Sequence, residues 1–265
     1  YLGDLDEIRY FNRALDLSQD THLIDDERWE TAKRCLKREF GHAQSWEICR
    51  NIILNFEQVY SRKYHSDWTN YLFESKLEDF YPVQGEAIVV STIHKAKGKE
   101  FDNVFLLLTN IESLSDEKKR EVYVAITRAK QNLSIHTNGH YLSNIANGLA
   151  EYRINSNTYP APQSLCYTLT HRDLWLDFFI DSHCQAAINT LKSGMSLRLT
   201  EKGCTDFSNN EILRFSKKFK DILNELIQKD YKLEKASVNF VVYWEKQEDK
   251  KEAKIVLPKV VFKKV

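Results

Sequence analysis

The hydrophobic pattern of this 265-residue chain changes its period at Tyr81–Pro82, and that change limits the folds open to it. Before this point, apolar residues such as Ile8, Phe11 and Leu15 recur every three or four positions, which predicts amphipathic helices. After it, apolar residues come in short β-branched runs such as Ala87–Val90, which predict buried strands. The chain is therefore expected to join a helical segment to a part that contains a sheet.

Three strand-like runs follow the change of period, at Ala87–Val90, Val104–Leu108 and Leu133–His136. A helix is expected to begin near Asp116, between the second run and the third. Because parallel strands need such crossover connections, this order favours an α/β layer with a mostly parallel sheet over residues 82–150.

Residues 151–163 form a loop-like cluster rich in asparagine and proline, which predicts a domain boundary. Beyond it, residues 164–265 alternate between strand-like and helical patterns and end in two strands, Val238–Trp244 and Ile255–Phe262. Pro258 is expected to place the last strand towards a sheet edge, because proline lacks the N–H that a central strand needs. This part is predicted to be a small α+β module.

Composition excludes several classes of protein. At 42% hydrophobic and 29% charged residues the chain is expected to be globular, and no apolar stretch approaches the roughly 20 residues that cross a bilayer. No export signal opens the sequence, and its five cysteines form no CxxC pair and no metal-ligand spacing. We therefore expect a soluble protein of the reducing cytoplasm, with no membrane contact and no metal site of its own.

Glycine is scarce, with eight residues, and this scarcity bears on nucleotide binding. Neither a GxxxxGK[ST] loop nor a GxGxxG turn is present, and these are the loops that cradle phosphates. If the chain handles a nucleotide, groups outside it must hold most of that ligand.

Two polar segments carry candidate chemistry. The first, Ser91–Phe101, directly follows the predicted strand Ala87–Val90, at the carboxyl end where open α/β sheets place their ligands. Thr92 and His94 offer donors suited to phosphate oxygens, contacts that position a nucleic acid without reading its sequence. Gly98 allows a close approach of the backbone to a ligand, and Glu100 offers a carboxylate suited to sugar hydroxyls. The alternative is structural, with His94 as a hydrogen-bonded core histidine.

The second segment spans Glu121–Lys130 and contains Arg128 beside apolar residues, so the guanidinium is expected to emerge at a specific place or to be paired. A fixed guanidinium stabilises charge on a transferring phosphoryl group. The alternative is again structural, because a cation at the end of a helix also stabilises the helix dipole.

The two strings together resemble a known family. Thr92–Phe101 is similar to motif V, and Tyr123–Lys130 to motif VI, of the UvrD/Rep-type superfamily 1 helicases. The resemblance covers roughly residues 82–140. The helical segment, residues 1–81, is compatible with the helical insertion of that family, and no family motif is recognised after residue 151.

The resemblance implies part of a RecA-like domain, of the P-loop NTPase type, that is the second of two. In the family ATP, with Mg²⁺, lies between them, so most of its ligands are expected from an upstream RecA-like domain of the same parent chain. Arg128 would then reach the γ-phosphate, and Gly98 with Glu100 would line the nucleotide. Thr92 and His94 would contact the backbone of single-stranded DNA or of a tailed duplex.

The family's Walker A lysine, its DExx carboxylates and its motif IV arginine are not recognisable in this sequence. The chain is thus expected to be the C-terminal part of an ATP-dependent DNA helicase, a hydrolase of the DNA-repair type, and to be inactive alone. Its start at Tyr1, without methionine, agrees with a truncated piece. Within the motifs, Lys97 is a weaker candidate and Tyr123 is expected to pack. The alternative is a non-catalytic DNA- or protein-binding platform that keeps the scaffold.

The net charge of zero conceals a basic C-terminal region, since residues 192–265 contain 17 bases and 11 acids. Together with aromatics such as Tyr243 or Trp244 as a stacking surface, these cations suggest contact with DNA or with a replication and repair partner. An ordinary lysine-rich surface over buried aromatics is the alternative.

Overall fold

The computed structural model of the chain describes residues 1–17, 21–81, 88–94, 96, 98–108, 115–138, 156–180 and 182–265. The chain falls into two compact units, of which the first joins Tyr1–Pro82 to Pro160–Val265 and the second is Val83–Tyr159. The helical segment and the C-terminal module, which the sequence pattern separates, therefore belong to one unit.

The described residues contain seven α-helices. Their bounds are Asp6–Leu15 (α1), Asp26–Phe40 (α2), Trp46–Val59 (α3), His65–Glu74 (α4), Asp116–Ile126 (α5), Ser182–Ile188 (α6) and Lys217–Gln228 (α7). Short 3₁₀ turns occur at Leu2–Asp4, Leu77–Phe80, His171–Asp173 and Leu176–Ile180. Over the described part of the chain, every helix is too short or too polar to span a bilayer.

The same residues contain eight strands. Their bounds are Phe101–Leu108 (β1), Ala129–Thr137 (β2), Ser164–Thr168 (β3), Ser196–Leu199 (β4), Gly203–Thr205 (β5), Glu211–Arg214 (β6), Tyr231–Glu245 (β7) and Glu252–Lys264 (β8). β1 and β2 form a parallel pair, and the other six form an antiparallel sheet in the order β3-β8-β7-β4-β5-β6.

The first unit contains a cluster of aromatic rings between α1, α2, α3 and α4. Phe11, Trp29, Phe56 and Trp68 are almost completely buried, and the rings of Trp29 and Trp68 meet edge to face at 5.2 Å between centroids. The indole N–H of Trp29 donates to a carboxylate oxygen of Glu57 at 2.7 Å, so its burial leaves no polar group unsatisfied. The helical periodicity predicted for residues 1–81 is confirmed here.

The helices share their core with the antiparallel sheet. Phe240 on β7 is buried among the apolar residues of the helices, and Leu5, just before α1, makes a β-bridge to Val242. Lys254 on β8 forms an ion pair of 2.8 Å with Asp6, and both side chains are nearly buried. These contacts between the helices and the antiparallel sheet explain why residues far apart in sequence form one unit.

The prediction that Pro258 lies at a sheet edge is wrong. The strand that contains it, β8, is central and pairs with β7 on one side and β3 on the other. Pro258 lies one residue beyond the last β3 pair, Thr168 with Lys259, and opposite a register irregularity between Val238 and Phe240. Its missing N–H thus falls where the ladder is interrupted, which a central strand tolerates.

The second unit is a β1-α5-β2 crossover. The hydroxyl oxygen of Ser115 accepts the backbone N–H of Lys118 at 3.2 Å and so caps α5, as expected for a helix that begins near Asp116. A small core lies between helix and sheet, formed by Leu106, Leu108, Val122 and Ala125. The predicted parallel pairing of these two strands is confirmed.

The strand predicted at Ala87–Val90 is wrong over its described part. Ala87 lies outside the described residues, while Ile88–Val90 form no strand, and Ile88 and Val90 are 91% and 92% exposed. A strand needs a hydrogen-bonded neighbour, and the described residues of β1 and β2 pair only with each other. The apolar pattern shows a preference for burial, but it does not supply the partner.

Candidate functional site

The two candidate segments meet at one edge of the parallel pair. Ser91–Glu100 leads into β1 and Arg128 precedes β2, and parallel strands begin at the same edge of a sheet. The backbone N–H of Phe101 donates to the carbonyl oxygen of Arg128 at 2.9 Å and ties the segments together. The site therefore lies at the amino ends of these strands. The expectation that it follows a strand, at a carboxyl end, is wrong because Ile88–Val90 is not a strand.

The guanidinium of Arg128 is held by the chain itself. Its Nε donates to the carbonyl oxygen of Val124 at 2.9 Å, one terminal nitrogen donates to the carbonyl of Lys99 at 3.2 Å, and the other donates to Thr127 Oγ1 at 3.1 Å. These three bonds use three of the five N–H donors. Arg128 thus caps the end of α5, and it also fastens that end to the first segment.

Gly98 and Glu100 form an open flank beside this arginine. Gly98 has φ +82°, a backbone conformation that residues with a side chain rarely adopt, and a Cβ placed there would meet no atom of the described residues within 4 Å. The Glu100 carboxylate is exposed and lies 3.7 Å from the Lys130 ammonium. An acceptor for sugar hydroxyls, an open backbone and a fixed guanidinium are groups that fit one side of a nucleotide.

His94 is not a core histidine. Its side chain is 80% exposed, and its Nε2 lies 3.8 Å from an oxygen of Glu121 on α5. The Lys118 ammonium donates to Glu121 at 2.6 Å, and this hydrogen bond holds the pKa of the carboxyl below its usual range. Thr92 is exposed on the same loop. Both residues expected to contact DNA are therefore at the surface.

Sequence reasoning had not assigned a role to Glu121. It belongs to the second segment, but nothing in its spacing from His94 along the chain indicates that the two would meet. Their proximity comes from the crossover, which places α5 against the loop before β1.

Three further expectations concern residues in or near the motifs. Lys97, with its neighbour Lys95, lies outside the described residues. The expectation that Tyr123 packs is wrong, since its side chain is 68% exposed, whereas Val122 and Ala125 face the small core of the unit. In the described residues, no group of three or more His, Cys, Asp or Glu side chains could hold a metal ion.

The stacking surface expected at Tyr243 and Trp244 is also wrong. The guanidinium of Arg9 and the ammonium of Lys254 lie over the Tyr243 ring, at 4.9 and 5.4 Å from its centroid. Trp244 is partly buried and packs against the core of the antiparallel sheet. Both side chains are partly buried rather than exposed, so they do not form an exposed stacking surface.

About half of the lysines from residue 192 onwards form ion pairs with carboxylates. Ion pairs join Lys250 to Glu245, Lys251 to Asp249 and Lys263 to Glu234, at 3.1, 3.5 and 3.8 Å. The excess of bases after residue 192 is therefore not a continuous field of free cations, because many of its charges have a carboxylate partner.

Comparison with known proteins gives one family match. Residues 49–140 match the model of the family described as the UvrD-like helicase C-terminal domain. The match includes both motif strings and begins within α3, earlier than the strings themselves. Neither the curated proteins nor the solved structures give a match. The chain thus carries, over residues 49–140, a UvrD-type helicase C-terminal region.

Proposed function

We propose that this chain is the C-terminal part of an ATP-dependent DNA helicase and contributes one side of its ATP site from part of a second RecA-like domain. The family match supports a helicase origin and, through it, DNA binding in general. One observation carries the finer proposal: the Lys99 carbonyl holds the Arg128 guanidinium in the loop that contains Gly98 and Glu100.

Arg128 is the group that stabilises charge on the γ-phosphate. Its side chain is already fixed by three hydrogen bonds, so little side-chain freedom is lost when it meets a phosphate. Glu100 accepts a hydrogen bond from a sugar hydroxyl, and Gly98 keeps the approach open. ATP, when bound, supplies the phosphoanhydride bond whose hydrolysis drives movement along DNA, and an upstream RecA-like domain holds most of it together with Mg²⁺.

Thr92 and His94 contact the phosphates of a single strand from the same loop. Because Glu121 of α5 faces His94, and the far end of α5 carries Arg128, the strand contact and the arginine belong to one βαβ piece. Under this proposal, the residues that contact DNA and the residue that contacts the nucleotide lie in neighbouring parts of the same piece.

The alternative, a non-catalytic platform for DNA or protein, is favoured by one observation. The Arg128 side chain donates three hydrogen bonds to the chain's own oxygens, and these bonds suffice to explain the residue as a helix cap. The two functions differ in what the loss of Arg128 does to ATP hydrolysis.

The decisive variant is Arg128→Ala, in a protein that contains this chain together with a Walker A domain. Under the helicase proposal, DNA-stimulated ATP turnover falls on the order of a thousandfold, whereas DNA affinity stays nearly unchanged. Arg120→Ala, which removes an exposed arginine from α5, is the matched control and retains turnover. Unimpaired hydrolysis in Arg128→Ala favours the platform, and the present chain alone is expected to hydrolyse no ATP.

A further inference from the structure

A cleft of about 470 Å³ opens in the first unit beside β6, outside the family-matched residues. Aromatic, amide and imidazole groups line it, among them Trp175, Phe178, His183, Asn209, Asn210 and Arg214. The sequence analysis assigned no role to any of these residues. The cleft therefore needs an explanation separate from that of the helicase motifs.

Trp175 presents its ring to solvent from a fixed backbone. Its side chain is 47% exposed, although its backbone N–H donates to the carbonyl oxygen of Arg214 at 2.9 Å. The preceding residue, Leu174, is buried and makes a β-bridge to Phe215. An indole that is about half exposed on a rigid backbone is suited to stacking with a planar ligand.

Arg214 forms the adjoining wall. Its guanidinium lies 5.4 Å from the ring centroid of Trp175 and 5.1 Å from that of Phe178. Two hydrogen bonds of 2.6 Å join it to the Glu211 carboxylate, and they hold the pKa of that carboxyl below its usual range. The wall is thus a set of planar groups in which the positive charge is already paired.

Asn209 and Asn210, which also line the cleft, lie in a tight loop between β5 and β6. The Asp206 carboxylate accepts the backbone N–H of Asn210 at 2.8 Å, and Asn209 has φ +64°, so the loop is held by its own bonds. Arg198 donates to the side-chain oxygen of Asn209 at 3.1 Å and lies 5.1 Å from the ring centroid of Phe207, which is 63% exposed. This loop brings the amide groups of Asn209 and Asn210 to the cleft.

We propose that this cleft binds a base of single-stranded DNA by stacking on Trp175. A nucleobase has a flat π-face for the indole and a polar edge for the asparagine amides. The bases of a duplex are stacked on each other and do not offer their faces. Because Glu211 neutralises Arg214, and Lys246 pairs with Asp177 at 2.7 Å, the cleft recognises bases and not phosphates. The cleft contains none of the motif residues. This proposal can therefore be tested independently of the role proposed for Arg128.

The test measures binding of the 265-residue chain to two fluorescently labelled strands of equal length, by anisotropy at low salt. One is oligothymidylate, and the other is an abasic deoxyribose-phosphate strand with the same charge. The wild-type chain is expected to bind oligothymidylate about tenfold more tightly. Trp175→Ala loses this preference, and Trp175→Tyr retains it because tyrosine also offers a π-face.

Two controls separate this proposal from that on the motifs. Phe73→Ala removes an aromatic side chain that is 75% exposed on α4 and retains the preference. If the loop contacts phosphates, His94→Ala weakens binding to both strands by the same factor. It leaves the preference for the strand with bases intact. Circular dichroism and thermal unfolding establish that the Trp175 variants are folded.

Three outcomes overturn the proposal. They are equal binding of both strands by the wild-type chain, binding of neither strand, and a preference for bases that survives in folded Trp175→Ala.

Discussion

The two units of this chain differ in how much core supports them. In the first, large side chains such as Trp29, Phe179 and Phe262 are completely buried, and the helices share one cluster with the sheet. In the second, the described residues bury only the small set between α5 and the parallel pair. The motif residues therefore lie on the unit with the smaller described core, and the larger core contains no recognised motif.

The strand β1 shows the contrast within a single element. Leu106 and Leu108 face α5 and are buried, whereas Phe105 and Leu107, on the other side of the strand, are both 70% exposed. A strand that is apolar on both faces is typical of a parallel sheet covered on both sides. Within the described residues only one side of β1 is covered, so core contacts stabilise this unit less than its sequence suggests.

The largest effect is expected from cavities in the two cores. Leu213→Ala, in β6 of the first unit, removes a fully buried side chain and should lower the free energy of unfolding by about 3–4 kcal/mol. Leu106→Ala, in the smaller core, should cost about 2 kcal/mol, because fewer neighbours hold the cavity open. Urea unfolding, with hydrogen exchange of the amides in β6 and β1, measures the two losses separately.

The matched control is Leu107→Ala, the same change one residue along β1 at an exposed position. It should alter the free energy of unfolding by less than about 0.5 kcal/mol. Equal losses for Leu106→Ala and Leu107→Ala would contradict the division of β1 into a buried and an exposed face.

A smaller effect is expected from the serine caps, one in each unit. Ser115 accepts the N–H of Lys118, and Ser216 accepts the N–H of Phe219, each at 3.2 Å. Replacing either serine by alanine should cost about 1 kcal/mol. Replacing Ser216 should lower the free energy of unfolding more than replacing Ser115, because the Ser216 hydroxyl also donates to the carbonyl oxygen of Arg172 at 3.2 Å.

Amide exchange at the capped N–H groups is the appropriate readout, and Ser115→Asp, which keeps a capping oxygen, is the control. Faster exchange in α7 after the Ser115→Ala change would contradict a local effect of this cap.

The smallest effect concerns pH and a buried carboxyl of the first unit. Ser45 donates to one oxygen of Glu7 at 2.5 Å, and the other oxygen has no hydrogen-bond partner among the described residues. Burial raises the pKa of Glu7 above 4.5, and the bond from Ser45 opposes that rise. The native state therefore binds this proton more tightly than the unfolded state does.

The stabilisation from Glu7 is thus fully present below about pH 4.5 and is lost as the pH rises through the raised native value. The free energy of unfolding, measured for wild type and Glu7→Gln from acid to neutral pH, gives the test. The stability of wild type relative to the variant should decline as the pH increases. A difference that does not change with pH contradicts the role given to burial.

Local pattern was enough to predict part of this fold. The periodicities of β1, α5 and β2 predicted three elements and their parallel pairing, because a crossover requires that order. The local pattern failed to predict the structure where a neighbouring strand decides it. Ile88–Val90 lacks a strand partner among the described residues, and Pro258 is tolerated centrally because β7 is irregular opposite it.

The two candidate sites also differ in how far the sequence predicted them. Thr92, His94, Gly98, Glu100 and Arg128 were chosen from two short strings, and the family match over residues 49–140 contains both. The cleft at Trp175 was missed because its walls come from three separate stretches of the chain, and each stretch alone has an ordinary composition.

The sequence by itself determined the similarity of residues 49–140 to the UvrD-like helicase C-terminal domain, because both motif strings are contiguous in sequence. Only the tertiary structure decided that the first 82 residues share a core with the last 106, that Arg128 rests on the carbonyl of Lys99, and that Trp175 stands exposed beside Arg214. Each of these contacts joins residues far apart along the chain. Spacing in sequence carries no information about such distances until packing and hydrogen bonding bring the segments together.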